Sequence, residues 1–280
     1  MKKLPLDLTQ TIALATSQNA SKLSKKKLSL YRKKTAELLD CVFFEIIENL
    51  KIDQFMECGA HEASGSVQFL RTSPDGYALA IEANPITYKE KTIQAASENL
   101  KVLNIGLGEA QGELDFYYPK NDKSAGLASF VKRSHIEYEE VKIPVNTISG
   151  LVTDYFDMSK PIALWVDVEG LSHDVLKGAH DKLSNCLVLK VEVESYELFD
   201  GQKLFSETDS LLRKQGMTPI LRDIEYEGQF NVIYINNTVA DTLDEVLISA
   251  IWRMSALEVS TVDLIKHRLH RFLSKRLKQE

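Results

Sequence analysis

Hydrophobic positions between residues 21 and 50, in SKLSKKKLSLYRKKTAELLDCVFFEIIENL, recur at spacings of three and four. They are Leu28, Tyr31, Leu38, Leu39, Val42, Phe43, Ile46 and Ile47. That period predicts one amphipathic helix. The pattern then shifts to short apolar runs broken by small and polar residues. DQFMECGA predicts a buried strand, VQFLRTS a helix, PDG a turn and YALAIEANP a second strand. ITYKEKTIQAASENL predicts a helix, and KVLNIGLG a third strand. Strands and helices that alternate in this way predict an α/β fold, a mostly parallel sheet with helices on both faces.

GELDFYYP and VKIPVNT predict two strands on either side of a polar segment, NDKSAGLASFVKRSHIEYEE. A connection of that length inside a compact domain is a candidate for function. Alternation resumes with IALWVDVEG (strand), SHDVLKGAHDKL (helix), CLVLKVEVES (strand) and SETDSLLRKQG (helix). TPILRDIEYEG and QFNVIYIN then predict an antiparallel hairpin about a glycine turn. Residues 239–280 predict helix, with Leu243, Val246, Leu247, Ala250 and Ile251 on one face. Leu264, Ile265, Leu269, Phe272 and Leu273 continue that face. The expected organisation is a helical extension over 1–50, a cofactor-binding domain over 51–238, and a helical extension with a basic tail over 239–280. The two extensions are expected to pack together or to form a homodimer contact.

Charge divides the chain in the same places. The net −6 of the 280 residues hides +8 over residues 1–34 and +5 over residues 266–280; subtracting these leaves −19 for the centre. An acidic body argues against nucleic acid as a partner. The basic ends read as solvated helix faces, with peripheral contact to an anionic membrane as the alternative. Cys41, Cys58 and Cys186 are odd in number and far apart. They point to a reducing, cytoplasmic location, extended to the inner face of the membrane on the alternative reading. Asp7 and Gln10 interrupt the apolar part of the N-terminus, which speaks against a cleaved signal peptide.

The candidate chemistry begins at FMECGAHEASGS. A glycine turn after a parallel strand lets backbone approach a ligand, and the following helix offers free N–H groups. Glu82 ends the second strand, at the spacing from Gly59 that lets a carboxylate bind both ribose hydroxyls of a nucleoside. A dinucleotide site wants G-x-G-x-x-G, but Ala60 and Ala63 stand at the second and third glycine places, and Glu62 adds charge where phosphates would lie. A cationic, phosphate-free cofactor suits these acids better. S-adenosylmethionine is such a molecule, and a sheet ending in one reversed strand suits its enzymes. An NAD-dependent oxidoreductase shares the glycine–carboxylate spacing and stays open.

Six blocks in order, FMECGAHEASGS, ALAIEANP, NLKVLNIGLGEAQGELDFYY, VKIPVNTISGLV, ALWVDVEGLSHDVLKGA and LVLKVEVES, resemble the FkbM-type S-adenosylmethionine-dependent methyltransferases. The resemblance covers about residues 52–236, and the D-V-E-G-x-x-x-x-V-L-K-G-A run, Asp167 to Ala179, is its most specific part. It implies a class I methyltransferase fold, Rossmann-like with a seven-stranded sheet, and transfer of a methyl group to oxygen. Sugars, glycans, glycolipids and polyketides are the implied acceptors. The chain departs from the family at Ala63, where glycine is usual, at His61, at Trp165, where lysine is usual, and at Ser172, where an acid is common. A non-catalytic scaffold of the same fold in a glycan-assembly complex is the competing reading.

The site residues follow from these positions. Glu57, Gly59, Ala60, His61, Glu82, Ala83, Asn84, Asn104, Ile105 and Asp167 are expected around S-adenosylmethionine, with Asn104 and Ile105 against the adenine. Asp167 is the expected base or substrate anchor, with Glu169 second and His61 as a further candidate. Trp165, Asp167 and Glu169 alternate onto one strand face, which sets an aromatic ring beside two acids. Glu192 and Ser129 are expected to touch a carbohydrate or glycolipid acceptor, with SAGLASF as a loop able to close over it. Asp167 and Glu169 could hold a divalent ion, but no further ligand stands out, so no metal is expected. Glu169 capping the following helix is the plain alternative. His173 and His180 read as surface residues, and His267 and His270 as a pair on a basic helix.

Overall fold

The structure, a computed structural model, describes residues 15–120, 128–132 and 136–267. Asp7, Gln10, most of SAGLASF, and Leu269, His270, Phe272 and Leu273 lie outside the described residues. The predicted first helix is α1, Lys25–Asn49. Leu39, Val42, Phe43, Ile46 and Ile47 bury its apolar stripe, and Lys51, in the left-handed region at φ 53°, turns the chain away beyond its end. Strand β1, Gln54–Cys58, follows, then α2, Ser64–Thr72, β2, Tyr77–Ile81, and α3, Pro85–Glu90. Next come β3, Leu100–Leu103, β4, Gly106–Leu107, β5, Gly112–Pro119, and β6, Tyr138–Asn146. The second half runs α4, Ile148–Tyr155, β7, Ile162–Val166, α5, Ser172–Lys177, and β8, Cys186–Glu194. It closes with α6, Phe205–Lys214, β9, Met217–Arg222, β10, Gln229–Asn236, and α7, Asp244–Ser255.

Seven strands form one sheet in the order β3-β2-β1-β7-β8-β10-β9. All neighbours from β3 to β8 pair in parallel, and β10 runs antiparallel to both β8 and β9. This is the class I methyltransferase fold, with its one reversed strand. The chain reverses strand order between β1 and β7, and a doubly wound sheet opens its ligand crevice at that point, beyond the carboxyl ends. Side chains alternate from a core under α1, α2 and α7 (Phe55, Ala163, Val188, Ile233) to one on the opposite face (Met56, Leu164, Leu189, Val232). Burial on both faces explains why these strands read as nearly continuous apolar runs. Helices α1 and α7, the described helices of the two extensions, are part of this body: they share the first core, and Arg253 forks onto Glu45 across them. Among the described residues, no helix is long and apolar enough to cross a membrane.

Several elements differ from expectation. The helix expected over SHDVLKGAHDKL ends at Lys177 and resumes as a tighter turn over His180–Asn185, and the helix expected from residue 239 spans Asp244–Ser255 before it breaks. KVLNIGLG is not one strand. Asn104 Nδ2 donates to the carbonyls of Glu82 and Ala83, at 2.8 and 3.1 Å, and swings the chain off the sheet edge. Gly106–Leu107 then joins a separate three-stranded sheet, ordered β4-β6-β5. The helix expected over ITYKEKTIQAASENL stops at Glu90 and gives way to a tighter turn over Thr92–Ala95. There the buried Thr92 hydroxyl bonds the His61 carbonyl, tying the chain to the β1–α2 turn.

Candidate functional site

A cavity of about 780 Å³ opens at the carboxyl ends of β1, β2, β7 and β8. That is room for a nucleoside-sized cofactor and part of an acceptor. Its first half is the turn after β1. Gly59 adopts φ 82°, and a Cβ there would lie 1.7 Å from the Asp167 carbonyl oxygen. The N–H groups of Gly59 and Ala60 both donate to the Ile81 carbonyl, at 3.0 and 2.8 Å. The turn is thereby locked to the end of β2. His61 and Ala63 continue it in the left-handed region, at φ 48° and 56°. The φ of Ala63 accounts for the glycine that the resemblance implies there.

Glu82 ends β2 and lines the cavity. Its Oε2 accepts the His61 N–H at 2.7 Å, and its Oε1 the Asn84 N–H at 2.8 Å. Burial raises its pKa, and these two donors oppose the rise. Each carboxylate oxygen keeps a further lone pair for a hydroxyl. Ala83, Asn84, Ile105 and Leu107 complete this half, the last two as apolar walls. Asn84 also caps α3, accepting from the Ile86 and Thr87 N–H groups.

Three residues expected at the cofactor lie behind the wall instead of on it. The buried Glu57 carboxylate accepts the N–H of Gly65 at 3.0 Å, and the N–H and hydroxyl of Ser66 at 2.7 and 2.6 Å. It thus caps the start of α2. Burial pushes its pKa up to about 7 despite those three donors. Ala60 is buried beneath the turn, and the Asn104 amide nitrogen holds the β2 end, as described above. His61 lines the cavity, but its Nε2 meets the Lys91 amine at 3.0 Å. Burial first, and Lys91 second, lower its pKa. Its backbone N–H is what orients Glu82.

The second half comes from strands far apart in sequence. Alternation sends Trp165 of β7, Lys190 and Glu192 of β8, and Asn231 of β10 to the α1 side of the sheet. Asp167 and Glu169 follow β7 into the same space, and Asp40 reaches in from α1. The Lys190 ammonium lies 3.4 Å from the centre of the Trp165 ring and pairs with Asp40. The Trp165 ring packs edge-on to Phe43 of α1, with centroids 6.0 Å apart. Asp167 and Glu192 are hydrogen-bonded to each other, and burial raises the pKa of both. Lys190 holds Asp167 down against that rise, whereas Asp167, Glu169 and Glu194 push Glu192 further up.

Glu169 sits at φ 39° before Gly170, and α5 begins at Ser172, so Glu169 is a turn residue on the cavity wall. Ser129 reaches that wall from the β5–β6 connection. Its hydroxyl donates to the Glu169 carbonyl at 2.6 Å and fixes this turn. His173 is half-buried at the start of α5 rather than on the surface, and His180 is exposed. Sequence reasoning named Trp165 but not its partners Lys190 and Asp40, nor Asn231, Gln229, Glu225 and Tyr226. Lys190 alone left a signal, as a lone cation within the apolar run LVLKVEV.

The model of the FkbM methyltransferase domain matches residues 57–218. The chain belongs to that family. It is similar to the 2-O-methyltransferase NoeI of Sinorhizobium fredii, 20% identical over 159 residues. That match covers 52% of this chain and 65% of the relative, so this chain spans just under two thirds of the relative's length. Among solved structures, a precorrin-6y methyltransferase from Geobacter metallireducens is 12% identical with a TM-score of 0.40, covering 70% of this chain and 86% of its own. Methanococcus jannaschii fibrillarin is 10% identical with a TM-score of 0.36, covering 68% of each chain.

The residues present suit the cofactor that the family uses. Glu82 offers lone pairs to a diol, Ile105 and Leu107 offer an apolar wall, and Gly59, with no Cβ to strike the Asp167 carbonyl, lets the turn close against the end of β7 and line the cavity.

Proposed function

We propose that the protein methylates a hydroxyl oxygen of a sugar, glycan or glycolipid. The observation that carries this reading is the place of Asp167. Its backbone carbonyl packs on Gly59 of the cofactor turn, and its carboxylate bonds Glu192 on the opposite side. One residue therefore spans both halves of the cavity. Carboxylates suit the many hydroxyls of a carbohydrate as hydrogen-bond acceptors. The printed name of the NoeI relative, a 2-O-methyltransferase, agrees with transfer to oxygen.

S-adenosylmethionine, when bound, supplies a methyl group on a sulfonium sulfur, and the electron pair of the broken carbon–sulfur bond returns to that sulfur. The chain's own part is to align and to handle the proton. Gly59, His61 and Glu82, with Ala83, Asn84 and Ile105, hold the nucleoside and so fix where the methyl group points. Alignment of this kind is worth several kcal/mol of barrier. Asp167 takes the proton from the acceptor hydroxyl. Its raised pKa makes it a stronger base than an exposed aspartate, and Lys190 keeps it available in the ionised form. Glu169 and Glu192 orient the acceptor, and Ser129 secures the turn that carries Glu169.

Calorimetric titration with S-adenosylmethionine, S-adenosylhomocysteine and NAD tests the first half, with binding of the first two and none of NAD expected. Asp167→Asn tests the second. It should lower methyl transfer by about 10³-fold while cofactor binding persists, and an unchanged rate would remove Asp167 from the chemistry. Mass spectrometry of host glycans with and without the gene should show the loss of one methyl increment.

A further inference from the structure

The geometry points to a divalent-cation site in the acceptor half of the cavity, formed by Asp167, Glu169 and Glu192 with the side-chain oxygen of Asn231, for a small oxygen-preferring ion such as Mg²⁺ or Mn²⁺. This rests on the methyltransferase reading only for what the ion does, not for whether it binds.

Carboxylate oxygens of Asp167, Glu169 and Glu192 all lie within 4.8 Å of one another. Two oxygens on opposite sides of one ion are about 4.2 Å apart for Mg²⁺ and about 4.8 Å for Ca²⁺, from bonds of roughly 2.1 and 2.4 Å. The three groups can therefore reach one ion with shifts well under the length of a bond. Gln229 Nε2 donates to Oε2 of Glu192 at 2.8 Å, which steers that carboxylate while leaving further lone pairs.

Asn231 supplies the independent observation. It is paired directly opposite Glu192 in the β8–β10 ladder, so both side chains leave the same face of the sheet. It lines the same cavity and is only 6% exposed. Its Nδ2 is tied to Asp223 Oδ2 at 3.2 Å, which fixes the amide so that Oδ1 is the free end. That Oδ1 has no hydrogen-bond partner. A buried amide oxygen without a donor is costly, and a hard cation is a fitting partner for it. Charge points the same way. Asp40, Asp167, Glu169, Glu192 and Glu225 bring five carboxyl groups, with one proton shared between Asp167 and Glu192, and Lys190 brings one ammonium, already held by Asp40 and the Trp165 ring. A dication offsets most of that imbalance.

Four protein ligands leave open positions on an ion that prefers six. An acceptor hydroxyl fits there, and binding to the ion would make that hydroxyl a stronger acid. Adjacent hydroxyls of a sugar ring would chelate.

The full-length protein, stripped with a chelator, is titrated with Mn²⁺ while electron paramagnetic resonance follows the free ion. Wild type should bind one Mn²⁺ per chain below about 1 mM. Glu169→Gln and Asn231→Leu, each checked for fold by its S-adenosylmethionine titration, should each bind Mn²⁺ at least about tenfold more weakly. Absence of Mn²⁺ binding in a wild-type protein that binds S-adenosylmethionine overturns the site and leaves the methyltransferase reading intact. Undiminished Mn²⁺ binding in both variants overturns it as well. Failure to bind S-adenosylmethionine counts against the cofactor reading alone, because the Mn²⁺ titration stands by itself.

Discussion

On the cofactor side, the carboxylates meet backbone donors close at hand: Glu82, on the cavity wall, those of His61 and Asn84, and Glu57, behind it, those of Gly65 and Ser66. In the acceptor half, Asp167, Glu169 and Glu192 face one another, and Lys190 is the ammonium among the described residues lining the cavity. The first arrangement is complete without a ligand and gives a rigid cradle. The second gathers three carboxyl groups about one ammonium in a partly dry space. Asp167 and Glu192 hold protons more tightly than usual, and the three carboxyl groups gain from a cation or a hydroxylated acceptor. On the proposed reading, binding and chemistry fall to two regions with different electrostatics.

Gly59→Ala should break the cradle and give the largest effect. The new methyl group would fall 1.7 Å from the Asp167 carbonyl oxygen, a backbone atom just beyond the central strand β7, at a φ of 82°. Neither half can yield without moving the other. A loss of about 3 kcal/mol of stability is expected, with S-adenosylmethionine binding abolished. Thermal unfolding and calorimetry measure both, and a stable, binding-competent variant would show that the turn moves freely of β7.

Lys190→Met should act on the acceptor half and leave the cradle alone. Removing the ammonium takes away the charge that restrains Asp167, so its pKa rises further above the ordinary aspartate range. The base must be ionised to work, and the rate falls as pH drops through its pKa. The acid limb of the methyl-transfer profile should therefore move to higher pH, with S-adenosylmethionine affinity unchanged within about threefold. Lys190→Arg should restore the limb. A profile identical to wild type would mean that Asp167 and Lys190 do not communicate.

Legibility in the sequence follows the same division. FMECGAHEASGS and ALAIEANP lie within 31 residues, and one βαβ unit brings Gly59 to Glu82 by local geometry alone. Periodicity sufficed for that half and for the sheet. It did not show that Asn104 would fold back on Glu82 and Ala83 and detach β4, because that depends on a side chain reaching carbonyls of the neighbouring strand. Asp40, Lys190 and Asn231 meet only through tertiary register: α1 over the sheet, Trp165 beside Lys190, Glu192 opposite Asn231. The resemblance implied a lysine at position 165; the structure places Trp165 there and brings an ammonium onto its ring from the adjacent strand.

Ala63 sharpens the contrast with Gly59 from the other side and should give the smallest effect. It sits four positions along the same turn, fully buried, at φ 56°. The left-handed conformation costs an alanine about 1–2 kcal/mol. Ala63→Gly relieves that strain, but it removes a buried methyl group worth about 0.8 kcal/mol. It also frees the unfolded chain by about 0.4–1 kcal/mol. These contributions nearly cancel. The variant should differ from wild type by less than about 1 kcal/mol, a shift of a few degrees at most in thermal unfolding. Because Ala63 touches the turn and not the cavity, S-adenosylmethionine affinity should hold. A loss above about 2 kcal/mol would make the methyl group a packing post for α2 rather than a tolerated replacement. One methyl group would then matter at both ends of the turn, for opposite reasons: excluded at Gly59 by the strand that carries Asp167, required at Ala63 by the helix that Glu57 caps.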